Sequence, residues 1–318
     1  MVIEMTQLNK EKFKGRDFIS LHDFAQEEIA YMIKVAADLK RERQEGIPHP
    51  ILHGKTLAMM FTKSSTRTRV AFEVGMYQLG GQALFLSSRD IQLGRGESIA
   101  DTARVLSRMV DGIMIRTFSH QEVQDLAEYA TVPVINGLTD LLHPTQVLAD
   151  LLTIQEHKGQ LAGLKLAYIG DGNNMAHSLM FGGAKMGLHV VIACPNDYRP
   201  NPEIVALAQE DAKVNGGKVE VVQDPQVAAQ GADVLYTDVW ASMGQEQEAE
   251  IRKQAFASYQ INSQLLKVAA PEAIVLHCLP AHHEEEITRE VFEGPQSVVF
   301  DEAENRLHAH KAIMALVI

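Results

Sequence analysis

In Ser64-Ser65-Thr66-Arg67-Thr68-Arg69, two arginines and four hydroxyl side chains occupy six consecutive residues. They follow the apolar, strand-like run Lys55 to Phe61 and lead into a helical pattern through Val70, Phe72, Val74, Met76 and Leu79. A strand, a hydroxyl-rich turn and a helix start make an anion site. Ser65, Thr66 and Thr68 can donate hydroxyl protons, Arg67 offers a rigid guanidinium fork, and the first helical N–H groups have no intrahelical acceptors. A phosphate dianion suits such a site. Each charge-assisted hydrogen bond contributes about 1.5–3 kcal/mol, and the helix terminus only about 0.3–1 kcal/mol, so Arg67 and the directed donors dominate. The competing reading is a capped helix start with solvated arginines.

Five further stretches carry groups capable of chemistry. Arg116 ends the apolar run Ile113-Met114-Ile115; a guanidinium at the edge of a buried strand needs an anion, because a desolvated, unpaired charge is costly. A surface ion pair would also satisfy it. Leu142-His143-Pro144-Thr145-Gln146 opens an amphipathic helix. Proline fits the first helical turn, so His143 and Gln146 can face one ligand there or simply cap the helix. Gly170-Asp171-Gly172-Asn173-Asn174 follows the run Leu164 to Ile169 and places two amides where open α/β sheets bind ligands; turn formation alone explains them equally well. With Asp197 downstream, the turn also imitates a dinucleotide fingerprint of a nicotinamide-dependent oxidoreductase, but Met175 stands where the third glycine belongs. Asp238, after Val234-Leu235-Tyr236, can bind a cationic group or close an Asx turn.

The run Ile274 to Glu286 ends in His277, Cys278, His282, His283 and three glutamates, as a metallohydrolase might. The spacing is poor for a metal: His282 and His283 are adjacent and point to different sides, and there is no His-x-x-x-His helix. Cys278 is also a candidate covalent nucleophile.

The elements that position these groups alternate. Helix Ala25 to Arg43, strand Lys55 to Phe61, strand Ala83 to Leu86, helix Ile99 to Met109, strand Ile113 to Ile115, helix Gln121 to Tyr129 and strand Val132 to Asn136 give a βα rhythm. The polar loop Ser87 to Ser98 reads as a linker or a ligand flap. Past Glu156-His157-Lys158-Gly159-Gln160 the alternation restarts and runs to a last helix, Glu302 to Val317. The expectation is an α/β protein with two doubly wound parallel-sheet domains joined by interdomain helices. At 318 residues each domain can bury its own core. The boundaries are placed at residues 1–150 and 151–301, with helix 302–318 packing back onto the first.

A net charge of -12 argues against a nucleic-acid surface and against docking on anionic membranes. No apolar run approaches the ~20 residues that span a bilayer, and Met1 to Gly15 lacks the apolar core of a signal peptide, so a cytoplasmic location is expected. Cys194 and Cys278 have no CxxC spacing, and neither a disulfide framework nor a cysteine zinc site is indicated.

Taken jointly, these stretches are specific. Ser65-Thr66-Arg67-Thr68-Arg69 resembles the carbamoyl phosphate signature of the aspartate and ornithine carbamoyltransferase family, and His143-Pro144-Thr145-Gln146 resembles its carbamoyl-binding element. Asp238-Val239-Trp240-Ala241-Ser242-Met243-Gly244 resembles the loop that closes over ornithine, and His277-Cys278-Leu279-Pro280 the ornithine-specific form of a motif that reads His-Pro-Leu-Pro in the aspartate enzymes. Arg306 matches a family arginine that reaches carbamoyl phosphate, whereas His283 stands where many members have arginine. The likeness covers nearly the whole chain, in family order.

The resemblance implies transfer of the carbamoyl group of carbamoyl phosphate to the side-chain amine of L-ornithine, giving L-citrulline and phosphate. Residues 1–150 would bind carbamoyl phosphate and 151–301 ornithine. Ser65, Thr66, Arg67, Thr68 and Arg116 would hold the phosphate, with Gln92 arriving from a neighbouring subunit of a homotrimer or a multiple of trimers, the active sites lying at subunit interfaces. His143, Gln146, Arg306 and the Leu279 carbonyl would polarise the carbamoyl group. Asn174, Asp238, Ser242 and Met243 would bind the amino-acid end, with Asp238 and Cys278 near the reacting amine and Arg67 and Arg116 stabilising the leaving phosphate. No metal or organic cofactor is required. Putrescine and acetylornithine are the alternative acceptors.

Overall fold

The computed structural model describes residues 11–89, 96–242 and 244–318. The chain separates into two compact units, Met1–Leu152 with Asn305–Ile318, and Thr153–Glu304; the divisions fall inside the helices Pro144–Lys158 and Val299–Val317.

The first unit holds strands β1 (Thr56–Phe61), β2 (Gln82–Ser87), β3 (Gly112–Arg116) and β4 (Val134–Leu138) in the order β2-β1-β3-β4, every pair parallel. Central parallel strands are covered on both faces and read as unbroken apolar runs. Accordingly β1 is buried from Leu57 on and β3 throughout, while β2 is a partly exposed edge. The strand expected over 132–136 is displaced to Val134–Leu138. A bulge explains the shift: Ile115 pairs with Asn136 but Arg116 with Leu138, leaving Gly137 as the extra residue. A Cβ at Gly137 would lie 2.6 Å from Met114 Sδ and 3.2 Å from the Ile115 carbonyl oxygen, so a larger residue there would have to displace the Met114 side chain. The bulge thus sits beside Arg116 and resets the strand end from which that side chain departs.

Helix Thr66–Gln78 is capped by Ser65, whose Oγ accepts the Thr68 N–H, and buries Ala71, Phe72, Gly75 and Met76. The last helix begins at Val299, three residues before the expected Glu302. From His308 on it is buried on every side, Ala309, Ala312, Ile313, Met314 and Val317 packing in the core alongside the polar His308, His310 and Lys311.

The second unit holds β5 (Lys165–Ile169), β6 (His189–Ala193), β7 (Lys218–Val222), β8 (Val234–Thr237) and β9 (Ile274–His277) in the parallel order β7-β6-β5-β8-β9. One core layer is built from Ala167, Ile169, Leu235, Val275, Trp240, Phe256 and Ile287. In each sheet the strand order reverses once, at β1/β3 and at β5/β8. Crevices outside the carboxyl ends of strands at such reversals are where open α/β sheets bind ligands.

Candidate active site

At the first reversal, the turn after β1 is fastened to the end of β3: the N–H groups of Thr62 and Lys63 donate to the Arg116 carbonyl at 2.9 and 3.3 Å. The buried Thr68 hydroxyl is the hub of the cluster. Its Oγ1 accepts from Arg306 at 2.7 Å and from Arg116 at 3.4 Å, and lies 3.1 Å from Ser65 Oγ. Thr68, Arg116 and Arg306 are 0, 5 and 3 % exposed, so two guanidinium charges are held out of water around one small oxygen. That arrangement favours an anion, since a buried charge is stable only when compensated. Arg67 is half-buried beside it, whereas Thr66 is exposed. Arg69 turns away to Glu73 at 3.0 Å and over the Phe85 ring at 3.7 Å.

His143 is buried at the start of the helix Pro144–Lys158. Burial, reinforced by the nearby charges of Arg306 and Arg116 and by His310 and Lys63, holds its pKa well below the ordinary histidine range. It is therefore a neutral ring, able to donate a hydrogen bond to a ligand without adding charge. Gln146, one turn on, donates Nε2–H to Asp150 Oδ1 at 2.9 Å. Lys63, to which local sequence assigns no role, is buried against Asp140 at 2.9 Å and over the Phe118 ring at 4.8 Å. Its place directly before the hydroxyl run was the available signal.

At the second reversal, the turn after β5 meets the end of β8. Asn173 caps the helix Asn174–Lys185: its Oδ1 accepts from the N–H groups of Met175 and Ala176 and from Tyr168 OH, and its Nδ2 donates to Asp238 Oδ2 at 2.9 Å. Asp238 Oδ1 accepts from the Val239 N–H at 2.8 Å and from the Cys278 thiol at 3.1 Å. Asp238, Cys278 and Asn173 are thus brought together, and Asn174 is buried at the first helical position beside them. Gly172 also finds its reason here, because a Cβ would meet the Pro200 nitrogen at 2.2 Å; the Gly-x-Gly pattern serves close backbone packing.

Arg252, also absent from the expected set, donates to Asp171 Oδ2 at 2.8 Å and to the Trp240 carbonyl at 3.0 Å, stapling the β5 turn to the loop after β8. Burial pushes Asp171 up to about 6, against the opposing pull of Arg252 and with a further push from Asp238. Ser242 exchanges hydrogen bonds with Gln245. Leu279 has φ 59° and precedes a cis peptide to Pro280. Gln92 and Met243, both expected in the site, lie outside the described residues.

Asp238, His277 and Cys278 stand close enough together to invite a metal. Both ring nitrogens of His277 are engaged, Nδ1 by the Leu279 N–H and Nε2 by Glu286, so the imidazole has no lone pair to offer an ion.

These two loop clusters define a small-molecule-binding α/β protein equipped for one anionic and one cationic ligand. Residues 16–156 match the carbamoyl-P binding domain of aspartate/ornithine carbamoyltransferases, and residues 162–317 match the Asp/Orn binding domain. The ornithine carbamoyltransferase of Symbiobacterium thermophilum is 64% identical over 304 residues, 96% of this chain and 98% of that protein. That of Thermococcus kodakarensis is 58% identical over 95% of this chain and 96% of its own. The solved ornithine carbamoyltransferase from Pyrococcus furiosus superposes with a TM-score of 0.94 at 55% identity, covering 96% of this chain and 97% of that one. The chain belongs to the aspartate/ornithine carbamoyltransferase family.

Proposed function

We propose that the protein is a carbamoyl-group transferase that joins carbamoyl phosphate and L-ornithine to give L-citrulline and phosphate. The observation that carries this reading is the convergence of Ser65, Arg116 and Arg306, from three distant parts of the sequence, on the Thr68 hydroxyl. The names borne by the similar proteins select ornithine as the acceptor.

The chemistry is a positioning problem. The ornithine side-chain amine attacks the carbamoyl carbon, the bond from that carbon to the phosphate oxygen breaks, and the proton lost by nitrogen leaves on the phosphate. An alkyl amine has a pKa near 10.4, so holding it unprotonated at neutral pH costs about 4–5 kcal/mol. Orienting two bound reactants can contribute about 7–11 kcal/mol and outweighs that. Ser65, Thr66, Arg67, Thr68, Arg116 and Gln92 hold the phosphate; Arg67 and Arg116 stabilise it as it departs. His143, Gln146, Arg306 and the Leu279 carbonyl polarise the carbamoyl group. Asn174, Asp238, Ser242 and Met243 take the amino-acid end, and Asp238 with Cys278 receives the attacking amine. Direct attack within a ternary complex needs no carbamoyl-enzyme, and is favoured over a carbamoyl-cysteine intermediate.

On this reading residues 1–150 with the last helix serve carbamoyl phosphate and residues 151–301 serve ornithine. The family resemblance further favours a homotrimer, or a multiple of trimers, with sites completed by Gln92 of a neighbouring subunit, working in arginine metabolism in the cytoplasm. No helix among the described residues is long and apolar enough to cross a membrane. A citrulline colour assay with ornithine, putrescine, aspartate and acetylornithine in parallel tests the activity: citrulline from ornithine supports it, and product only from another amine refutes it.

A further inference from the structure

Arg252 is a buried cation that the transfer chemistry does not use. It rises from the helix Ala249–Phe256, 6 % exposed, and meets loops at the carboxyl ends of three strands of the second sheet. Its Nη1 donates to Asp171 Oδ2 at 2.8 Å, on the turn after β5, and to the Trp240 carbonyl at 3.0 Å, on the loop after β8. Its guanidinium carbon lies 4.8 Å from the centre of the Tyr198 ring, on the loop after β6. The Tyr198 carbonyl in turn accepts the Gly172 N–H at 2.9 Å, so the β5 turn is held at two consecutive residues. The exposed Glu248 steadies the guanidinium, accepting from Nε at 3.1 Å. What Arg252 joins matters more than what it fills. Asp171 stands two residues before Asn173, and Trp240 stands midway between Asp238 and Ser242. Asn173 already binds Asp238 at 2.9 Å. One hydrogen bond leaves a backbone stretch free to pivot; a second tie two residues along fixes its direction. Packing does not demand a charge here, because a buried ion pair often adds no stability over apolar groups of the same volume. Only a guanidinium, with several directed donors, reaches a carboxylate and a carbonyl together.

We propose that Arg252 is a positioning residue for the amino-acid acceptor: by tying Asp171 to the Trp240 carbonyl it sets the stretch from Asp238 to Ser242 against the Asn173-Asn174 turn, and so fixes the ornithine end of the site without touching the substrate. The inference rests on the carbamoyltransferase reading above. Every group in the tie belongs to the second unit, whereas Thr68, Arg116 and Arg306 belong to the first, so the effect is confined to one substrate. Two variants separate positioning from mere support. Arg252→Met keeps the stem, removes every donor and leaves Asp171 buried without its cation. Arg252→Met combined with Asp171→Asn removes the tie and the uncompensated charge together.

Citrulline initial rates, calorimetry of carbamoyl phosphate binding and urea midpoints are the readouts. Arg252→Met is expected to lower the midpoint, and the double variant to recover most of that loss. The ornithine KM should stay raised about tenfold or more in both, with kcat lowered by no more than about threefold and carbamoyl phosphate affinity within about twofold of wild type. Arg252→Lys, which keeps the charge and donors but not the planar fork, should return the ornithine KM to within about threefold of wild type. A KM that recovers together with the midpoint makes the pair a structural support and overturns the proposal, as does a loss confined to kcat or an equal loss of carbamoyl phosphate affinity. Should the Met variants not fold, Asp171→Asn alone decides, because it keeps the size and an acceptor but gives up the charge: an ornithine KM raised about threefold or more upholds the proposal, and an unchanged one overturns it. A wild-type protein that forms no citrulline refutes the parent reading and the proposal with it, whereas an active wild type whose variants lose only stability refutes the proposal alone.

Discussion

Asn173 donates its side-chain amide to the Asp238 carboxylate across 2.9 Å, joining the turn after β5 to the end of β8. The same residue caps the helix Asn174–Lys185, so one side chain sets both the helix start and the aim of the acid. Asn173→Ala should therefore have two separable effects. Loss of the cap costs about 0.5–2 kcal/mol of stability. Loss of a hydrogen bond to a charged group costs about 1.5–3 kcal/mol, seen as a rise of about tenfold or more in the ornithine KM. Carbamoyl phosphate binding by calorimetry should be unchanged; a shift there, with ornithine unaffected, would contradict the assignment of Asp238.

Arg67 stands beside the Thr68 hub, half-buried. Removing one charge-assisted donor from a phosphate costs about 1.5–3 kcal/mol, or about ten- to a hundredfold in affinity. Arg67→Ala is expected to weaken carbamoyl phosphate by that much and ornithine far less. Equal losses in titration calorimetry would remove Arg67 from the anion site.

Cys278 donates its thiol to Asp238 at 3.1 Å, which makes it a partner of the acid. Cys278→Ser preserves a donor of similar reach and should retain part of the activity, with sequential initial-rate patterns in the two substrates. Ping-pong kinetics and a carbamoyl group trapped on Cys278 would reverse this reading.

A buried chain in the first unit sets the pH dependence of stability. Lys311 Nζ lies 3.2 Å from His49 Nε2, and His49 Nδ1 lies 3.2 Å from Glu42 Oε2. Burial, then Arg43, lowers Lys311 to about 8 from 10.5, against the pull of Glu42. Between those values the unfolded chain binds the proton the native state has released, so stability from this group rises with pH through that window. In Lys311→Met the rise should be absent when denaturant midpoints are compared at about pH 7 and about pH 9.5. On the acid side, burial lowers His49, His143, His308 and His310. The unfolded state protonates these rings first, and stability should fall as pH drops below 6.5. A flat profile there would mean that the rings are not held neutral.

Much of this was legible in the residues, for physical reasons. Runs such as Leu57 to Phe61 and Ile113 to Ile115 are apolar because both faces are covered, and hydroxyls and arginines at their carboxyl ends stand out against them. What local pattern could not supply was direction. Asn173 and Asn174 are equivalent as letters, yet the first is the cap that reaches Asp238 and the second a buried helical residue. Nothing near Arg252 predicts that it crosses to Asp171, and the His277–Glu286 bond depends on how a whole loop closes. Arg306 entered through family resemblance, since its approach to Thr68 joins residues 238 apart.

The central claim is that the Thr68 hub is the seat of the phosphate. A crystal structure with phosphonoacetamide, an unreactive mimic of carbamoyl phosphate, tests it most directly. Phosphonate oxygens are expected within about 3 Å of the Ser65–Thr68 turn and of the Arg67 and Arg116 guanidinium groups. A phosphonate bound elsewhere, with Arg116 and Arg306 still closed on Thr68, would contradict it.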